Sequence, residues 1–360
     1  MIKRRFYLTL VAALILLITS LLWGCGDEKS TKSVSGSKET KPITMRIAHS
    51  YPETTQHHRN MLFYKKKVEE YTNGRVQVSI FPNAQLCSID KEMSMVLAGS
   101  VESAYTIQGM LETIDPAEAI WSVPFLFKVS PGEGKHLRLA MQSDKIEGVL
   151  KKRQMEKGIY RLGNIPTLFG FFIIGNNKLP VTKPDDMKGL KIRHPGGMMG
   201  ATYLSSFSAS PVTIAGTEVP VALSQGVVDG LTTTIVHYHD ARWHTKYVTL
   251  PFWNAYTLPF YANLQWWNGL PSDIKDIIEK KVMPEVQDYA FTEVTKLEKE
   301  YIKSIQEPPY NVKVTALSDE QVKEWAAKAR EVGIETFVKK LGEEGRKMVE
   351  EVNRLGEQIK

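Results

Sequence analysis

ITMRIAHSYPETTQHHRNMLFYKKKVEEYTNGRVQVSIF, residues 43–81, sets the fold class. Ile43, Met45 and Ile47 alternate with Thr44, Arg46 and Ala48, the period of two expected of a strand with one buried face. From Thr54 to Tyr71 the spacing changes, and Met61, Tyr64, Val68 and Tyr71 fall on one face of a helix. Asn73-Gly74 closes that helix, and Val76, Val78 and Ile80 resume the alternation. Strand, helix and strand in under 40 residues predict a crossover unit of a parallel sheet, hence an α/β protein.

Downstream, Ile89, Met93, Val96 and Leu97 predict a helix over 89–99, and the region 100–170 mixes short apolar runs with helices such as 133–157. Ser272 to Gln306 carries one long helical pattern that includes Ile274, Ile278, Val282, Val286, Leu297 and Ile305. At 1.5 Å per residue such a helix runs about 50 Å, longer than one small domain. Pro284 is expected to kink it. Its apolar residues drift across the heptad, which favours packing on a globular body over a coiled-coil arm. A cap signal at Ser318 opens two further helices, broken at Gly342.

The chain has 360 residues, 42% of them hydrophobic and 24% charged, enough for two domains with cores of their own. Two cysteines exclude a disulfide scaffold and a multi-cysteine metal site. Of the formal charge of +6, three units lie in Lys3-Arg4-Arg5, so the remainder gives no sign of a nucleic-acid partner. Those three residues precede 18 uncharged ones, Phe6 to Trp23, and then Gly24-Cys25. The pattern resembles a lipoprotein signal peptide over 1–24, cut before a lipid-modified Cys25; an uncut single-span anchor is the other reading. Trp23 is unusual at its place in such a motif. Residues 25–42 are polar and read as a flexible tether. Either way the folded part lies outside the cytoplasmic membrane. Cys87 is then alone and reads as small apolar filler.

No G-x-S-x-G, H-E-x-x-H, Walker loop or strand-borne G-x-G-x-x-G is present. The informative segment is 184–234. There Leu190 and Ile192 take one face of a strand and Lys191 and Arg193 the other, with Arg193 at the carboxyl end. Ligands of open α/β sheets bind at that end. An arginine there, beside Pro195-Gly196-Gly197 and the free N–H groups of a helix starting at Met198, suits a carboxylate through two parallel hydrogen bonds. A solvated arginine at a strand end is the plainer alternative.

The same segment resembles the solute-binding proteins of tripartite ATP-independent periplasmic (TRAP) transporters. Their K-G-L-K-[IL]-R-x-P pattern appears as Lys188 to Pro195, and E-V-x-x-A-L-x-x-G-x-V-D-G as Glu218 to Gly230. Phe81-Pro82-Asn83-Ala84-Gln85-Leu86 is similar to F-P-x-x-Q-L-G, with Cys87 in place of the glycine, and Gly99-Ser100-Val101-Glu102 to G-x-[LV]-[DE]. The likeness covers 43 to about 340. It implies a two-lobed, periplasmic-binding-protein-like fold with a ligand cleft between lobes and a long helix spanning both. Lobe I would comprise 43–168 plus 259–298, and lobe II 169–258 plus 299–360. It further implies a small-molecule carboxylate paired with Arg193, delivery to small and large membrane subunits for ion-gradient-driven uptake, no cofactor and no catalysis. An extracytoplasmic sensor, or a surface enzyme on the same scaffold, are the alternatives.

Departures from the family pattern shape the expected ligand. Many members carry a second arginine where this chain has Gly170-Phe171-Phe172, so Phe172 predicts one carboxylate rather than two. Gly216 stands where sialic-acid-type members place a phenylalanine, and Pro220 replaces a usual aromatic. Thr233, His237 and Tyr238, which follow the Asp229-Gly230 turn, are expected to line the cleft; Ser50, Asp90 and Gln108 complete the candidate set from the first lobe. On a continuous helix His237, Asp240 and His244 would share a face, a low-ranking arrangement for a metal ion. Among Phe252, Trp253, Tyr256, Trp266 and Trp267, most are expected in the core and one or two at the ligand floor.

Overall fold

In the computed structural model, residues 41–128, 134–168, 172–250 and 256–359 are described. Their strands are β1 (Ile43–Ala48), β2 (Val76–Phe81), β3 (Ser103–Tyr105), β4 (Ile159–Leu168), β5 (Phe172–Asn176), β6 (Lys191–His194), β7 (Ser210–Thr213), β8 (Gly230–Thr234), β9 (Tyr247–Leu250), β10 (Tyr256–Asn263) and β11 (Lys313–Ala316). They form two mixed sheets, ordered β2-β1-β3-β10-β4 and β11-β9-β5-β8-β6-β7. Each is the centre of one lobe.

The opening strand–helix–strand unit is as the alternation predicts. β1 and β2 pair in parallel from Ile43↔Val76 to Ala48↔Phe81. Helix Gln56–Tyr71 connects them, capped by the Thr55 hydroxyl, which accepts the His58 N–H. Asn73 and Gly74 both take positive φ to turn the chain back; glycine does so without steric cost. Met45, Ile47, Tyr64, Val68 and Val78 are fully or almost fully buried between that helix and the sheet.

The long helix is continuous in course but not in register. It runs Ser272–Ile277, passes through a π-turn at Ile278–Val282, and continues as Met283–Ser304. Pro284 has no N–H to donate, and the wide turn just before it accommodates the missing bond. Val286 and Ala290 pack in the first-sheet core, and Leu297 joins Ile173, Leu231 and Val248 on the second, so one helix braces both lobes.

Two expected helices are shorter than the apolar pattern suggests. Residues 89–99 give only Glu92–Leu97. Residues 133–157 break into Lys135–Met141, a π-turn Asp144–Gly148 and Val149–Met155, because Ser143 is extended and donates its hydroxyl to Glu351. The last two helices, Asp319–Leu341 and Glu343–Glu357, meet at Gly342, and Ser318 and Gln321 close a reciprocal capping box. Cys87 is half-buried rather than core filler; burial pushes its thiol up to about 11. No described helix is long and apolar enough to cross a membrane.

Candidate functional site

β6 carries the central residue. Its neighbours β7 and β8 run parallel to it, with Arg193 opposite Val212 and Leu231. Arg193 is only 3% exposed. Its Nε donates to the Ile214 carbonyl at 2.8 Å and Nη1 to the Thr232 carbonyl at 3.4 Å, while the guanidinium carbon lies 5.2 Å from the Trp243 ring centroid. Backbone carbonyls and an aromatic face thus fix the fork at the wall of a cavity of about 490 Å³ between the lobes.

Other cavity walls come from strand ends and helix starts of both sheets. Ser50, Tyr51 and His57 follow β1; Ser88, Ile89 and Asp90 follow β2; Gly216, Thr217 and Glu218 follow β7. Thr233 and Thr234 end β8, and Thr234 caps helix Ile235–Asp240 by accepting the His237 N–H at 3.0 Å. That cap turns His237 into the cavity, where it stacks on His57 across the lobes, centroids 5.2 Å apart and planes 15° apart. Trp243 meets His237 edge-on at 4.8 Å, and Tyr51 meets His57 at 4.3 Å. Burial, reinforced by Arg193, pushes the His237 imidazole down to about 4. Burial also lowers His57 far below the ordinary range.

Among the expected residues, Arg193, Gly216, Thr233, His237, Ser50 and Asp90 converge on this cavity. Ser50 also donates its hydroxyl to Glu92 at 2.7 Å. Asp90 is exposed at the mouth. Gly216 keeps space open: a Cβ there would stand 3.6 Å from Trp243 Cζ2 and 3.9 Å from His237 Nε2. Gln108 and Tyr238 lie elsewhere. Gln108 is buried between Thr257 and Ser122, bonded to both, and Tyr238 is a core residue whose hydroxyl accepts the Thr245 N–H. The Phe172 backbone pairs with Thr234, but its side chain, with Gly170 and Phe171, lies outside the described residues.

His237, Asp240 and His244 do not share a face, because the helix ends at Asp240 and Arg242 takes positive φ, carrying His244 out to solvent. Asp240 points instead at the other lobe. Its Oδ2 accepts the Gln56 N–H at 2.7 Å and Arg59 Nη2 at 3.2 Å. Burial opposes ionisation there, yet the neighbouring His239 ring, the Arg59 charge and the Gln56 N–H hold the carboxyl below its usual range. No group of three or more His, Cys, Asp or Glu among the described residues could hold a metal ion.

The helix start beside Arg193 is likewise engaged. Met198 N–H donates to Glu112 Oε2 at 2.6 Å, so a protein carboxylate from the first lobe takes a place expected to serve the ligand. Burial pushes Glu112 up to about 7. Beside it the lobes touch backbone to backbone: a Cβ on Gly109 would meet Gly197 N at 2.6 Å. Of the candidate aromatics, Trp267 stacks on Tyr160 in the core and Trp266 is half-buried against it. Phe252, Trp253 and the Tyr256 side chain lie outside the described residues. Among the described residues, the cavity's aromatic walls are Tyr51 and Trp243, and these with His57 were missed. The His49–His58 stretch follows a strand's carboxyl end, the same signal that singled out Arg193.

Two α/β lobes, braced by one helix and enclosing a cavity with a buried arginine, define a two-lobed ligand-binding protein. The chain belongs to the DctP family of bacterial extracellular solute-binding proteins, family 7, whose model matches residues 47–340. It is a TRAP-type periplasmic solute-binding protein and not an enzyme. A C4-dicarboxylate-binding periplasmic protein of Rhodobacter capsulatus is 28% identical over 253 residues, 69% of this chain and 73% of that one. The fold matches a TRAP solute-binding protein from Sulfurospirillum deleyianum with bound succinate (TM-score 0.77, 24% identity, covering 87% of this chain and 99% of that one). It also matches one from Desulfovibrio salexigens with bound orotic acid (TM-score 0.81, 22% identity, covering 88% and 100%).

Proposed function

We propose that the cavity captures a small monocarboxylate, paired with Arg193, for ion-gradient-driven uptake through small and large membrane subunits. The observation that carries this reading is the charge inventory of the cavity. Among the described residues lining it, Arg193 is the one arginine or lysine, while Asp90 and Glu218 stand exposed at the mouth. One bidentate arginine neutralises one carboxylate; burying a second without a partner costs several kcal/mol. The apolar walls, Ile89, Ile107, Ala215, Pro220, Trp243 and Leu258, suit an uncharged remainder. The ligands named for the solved relatives, one diacid and one monoacid, do not choose between the two.

The same proposal assigns residues 1–24 to a signal segment, Cys25 to lipid attachment and 25–42 to a tether. Residues 43–168 plus 259–298 form lobe I, and 169–258 plus 299–360 form lobe II. The lipid would anchor the protein at the outer face of the cell membrane.

Calorimetry on matched mono- and dicarboxylates tests the ligand class. Monocarboxylates are expected to bind tightest, Arg193→Ala to cost about 2–5 kcal/mol, and Arg193→Lys to restore only part, since a point charge replaces a fork. Tightest binding by C4 dicarboxylates would overturn the reading.

A further inference from the structure

We propose that His57 and His237, one from each lobe, are neutral rings protonated on Nε2 that present two N–H donors to the cavity and select carboxylates bearing a second, uncharged oxygen. This rests on the reading of Arg193 as the carboxylate's partner, and adds what the rest of the ligand must carry.

Two buried ring nitrogens fix the tautomers. Nδ1 of His57 and Nδ1 of His237 are both buried with no hydrogen-bond partner among the described residues. A neutral imidazole has one donor nitrogen and one acceptor nitrogen. A proton on Nδ1 would strand an N–H donor, and orphaned buried N–H groups are rarer in folded proteins than under-used acceptors. The proton therefore belongs on Nε2. For His237 that atom lies 3.9 Å from the position a Cβ would take on Gly216, itself a wall of the cavity. The missing side chain at 216 is what leaves this nitrogen open to a ligand.

The imidazolium form is disfavoured by the same geometry, since it needs both nitrogens to donate and Nδ1 has nothing to receive its proton. The surroundings agree. His57 is 4% exposed and faces His237, His49 and Arg59. His237 faces Arg193 and Asp240, and the Asp240 carboxylate is already engaged by the Gln56 N–H and Arg59. The two rings stack across the lobes and both residues line the cavity, so the pair is assembled only when the lobes are together.

One fixed cation and two neutral donors are satisfied by a carboxylate plus a keto, hydroxyl or amide oxygen. An unsubstituted alkanoic acid would leave two N–H groups dry on closure. A second carboxylate would accept their hydrogen bonds but keep an uncompensated charge.

Two measurements on the full chain test this. With ¹⁵N-labelled histidine, long-range proton–nitrogen spectra read which nitrogen is protonated, without any ligand. Both rings are expected as the Nε2–H tautomer at pH 7. An Nδ1–H ring or an imidazolium at either position overturns the assignment, whatever binds. Calorimetry then compares pyruvate with propanoate, 3-hydroxybutanoate with butanoate, and phenylpyruvate with 3-phenylpropanoate. In at least one pair the oxygen-bearing acid is expected to bind about tenfold tighter. His57→Gln and His237→Gln, whose amide nitrogen donates from nearly the same place, should keep that preference. His57→Phe and His237→Phe, which keep a ring and lose the donor, should reduce it toward equality. A preference that survives both phenylalanine variants, or no preference in any pair, overturns the selectivity claim. Failure of every acid to bind overturns the carboxylate reading itself, while the spectra still decide the tautomers.

Discussion

Glu92 offers a direct measure of how far the first lobe buries acid. It opens helix Glu92–Leu97 directly behind the cavity wall, is fully buried, accepts the Ser50 hydroxyl at 2.7 Å through Oε1, and leaves Oε2 without a partner among the described residues. Burial pushes its carboxyl up to about 8. In the unfolded chain a glutamate titrates at about 4.3. Between those values the folded chain holds a proton that the unfolded chain has released, so stability falls as pH rises, by ~1.4 kcal/mol per pH unit. From pH 5 to pH 7 this one group costs about 2.5 kcal/mol. Glu92→Gln keeps an oxygen for Ser50 and removes the titration. Urea unfolding of both proteins at pH 5, 6, 7 and 8 is the assay. The variant's stability relative to the native chain is expected to grow by about 2.5 kcal/mol between pH 5 and 7 and to level off above pH 8. Other titrating groups, Glu112 among them, cancel in the difference. Parallel stability curves for the two proteins would mean that Glu92 carries no such titration.

Gly109→Ala would set a Cβ 2.6 Å from Gly197 N and 2.7 Å from the Gly196 carbonyl carbon, all of it backbone that can yield only by parting the lobes. Overpacking of this kind costs ~1–3 kcal/mol, so the acid selected from the calorimetric panel should bind roughly ten- to a hundredfold more weakly. The melting temperature should change little, since alanine suits the helix better than glycine; unchanged affinity would contradict the close approach. Radiolabelled palmitate should enter the native protein in a bacterial host and not Cys25→Ser, and equal labelling of the two would remove the lipid anchor.

How far the sequence carried the reading depends on whether a feature is local. β1, helix Gln56–Tyr71 and β2 were legible because one strip of chain holds the alternation, the helical spacing and the Asn73-Gly74 turn. The π-turn before Pro284 was not, since a missing N–H says that the helix must adjust but not how. Arg193 was legible from its strand end. Gln108 and Tyr238 were misplaced because neighbours on a helix point about 100° apart, so His237 reaches the cavity while Tyr238 enters the core. His57 and Tyr51 join Arg193 only when the lobes meet, and no single segment records that meeting.

The carboxylates exchanged between the lobes bear on whether either half could lead a separate life. The cap position of helix Met198–Ser206, Gly197, has no side chain to offer, and the acid that serves the helix start is Glu112 of the first lobe. Helix Gln56–Tyr71 of the first lobe receives Asp240 of the second. An excised half would therefore keep a helix start missing its borrowed acid and an acid with no helix start to receive it. Domain shuffling, split-protein reporters and circular permutants cut between the lobes would all meet this mutual debt. Transplanting the binding specificity of one half into a relative requires moving Glu112 and Asp240 with it.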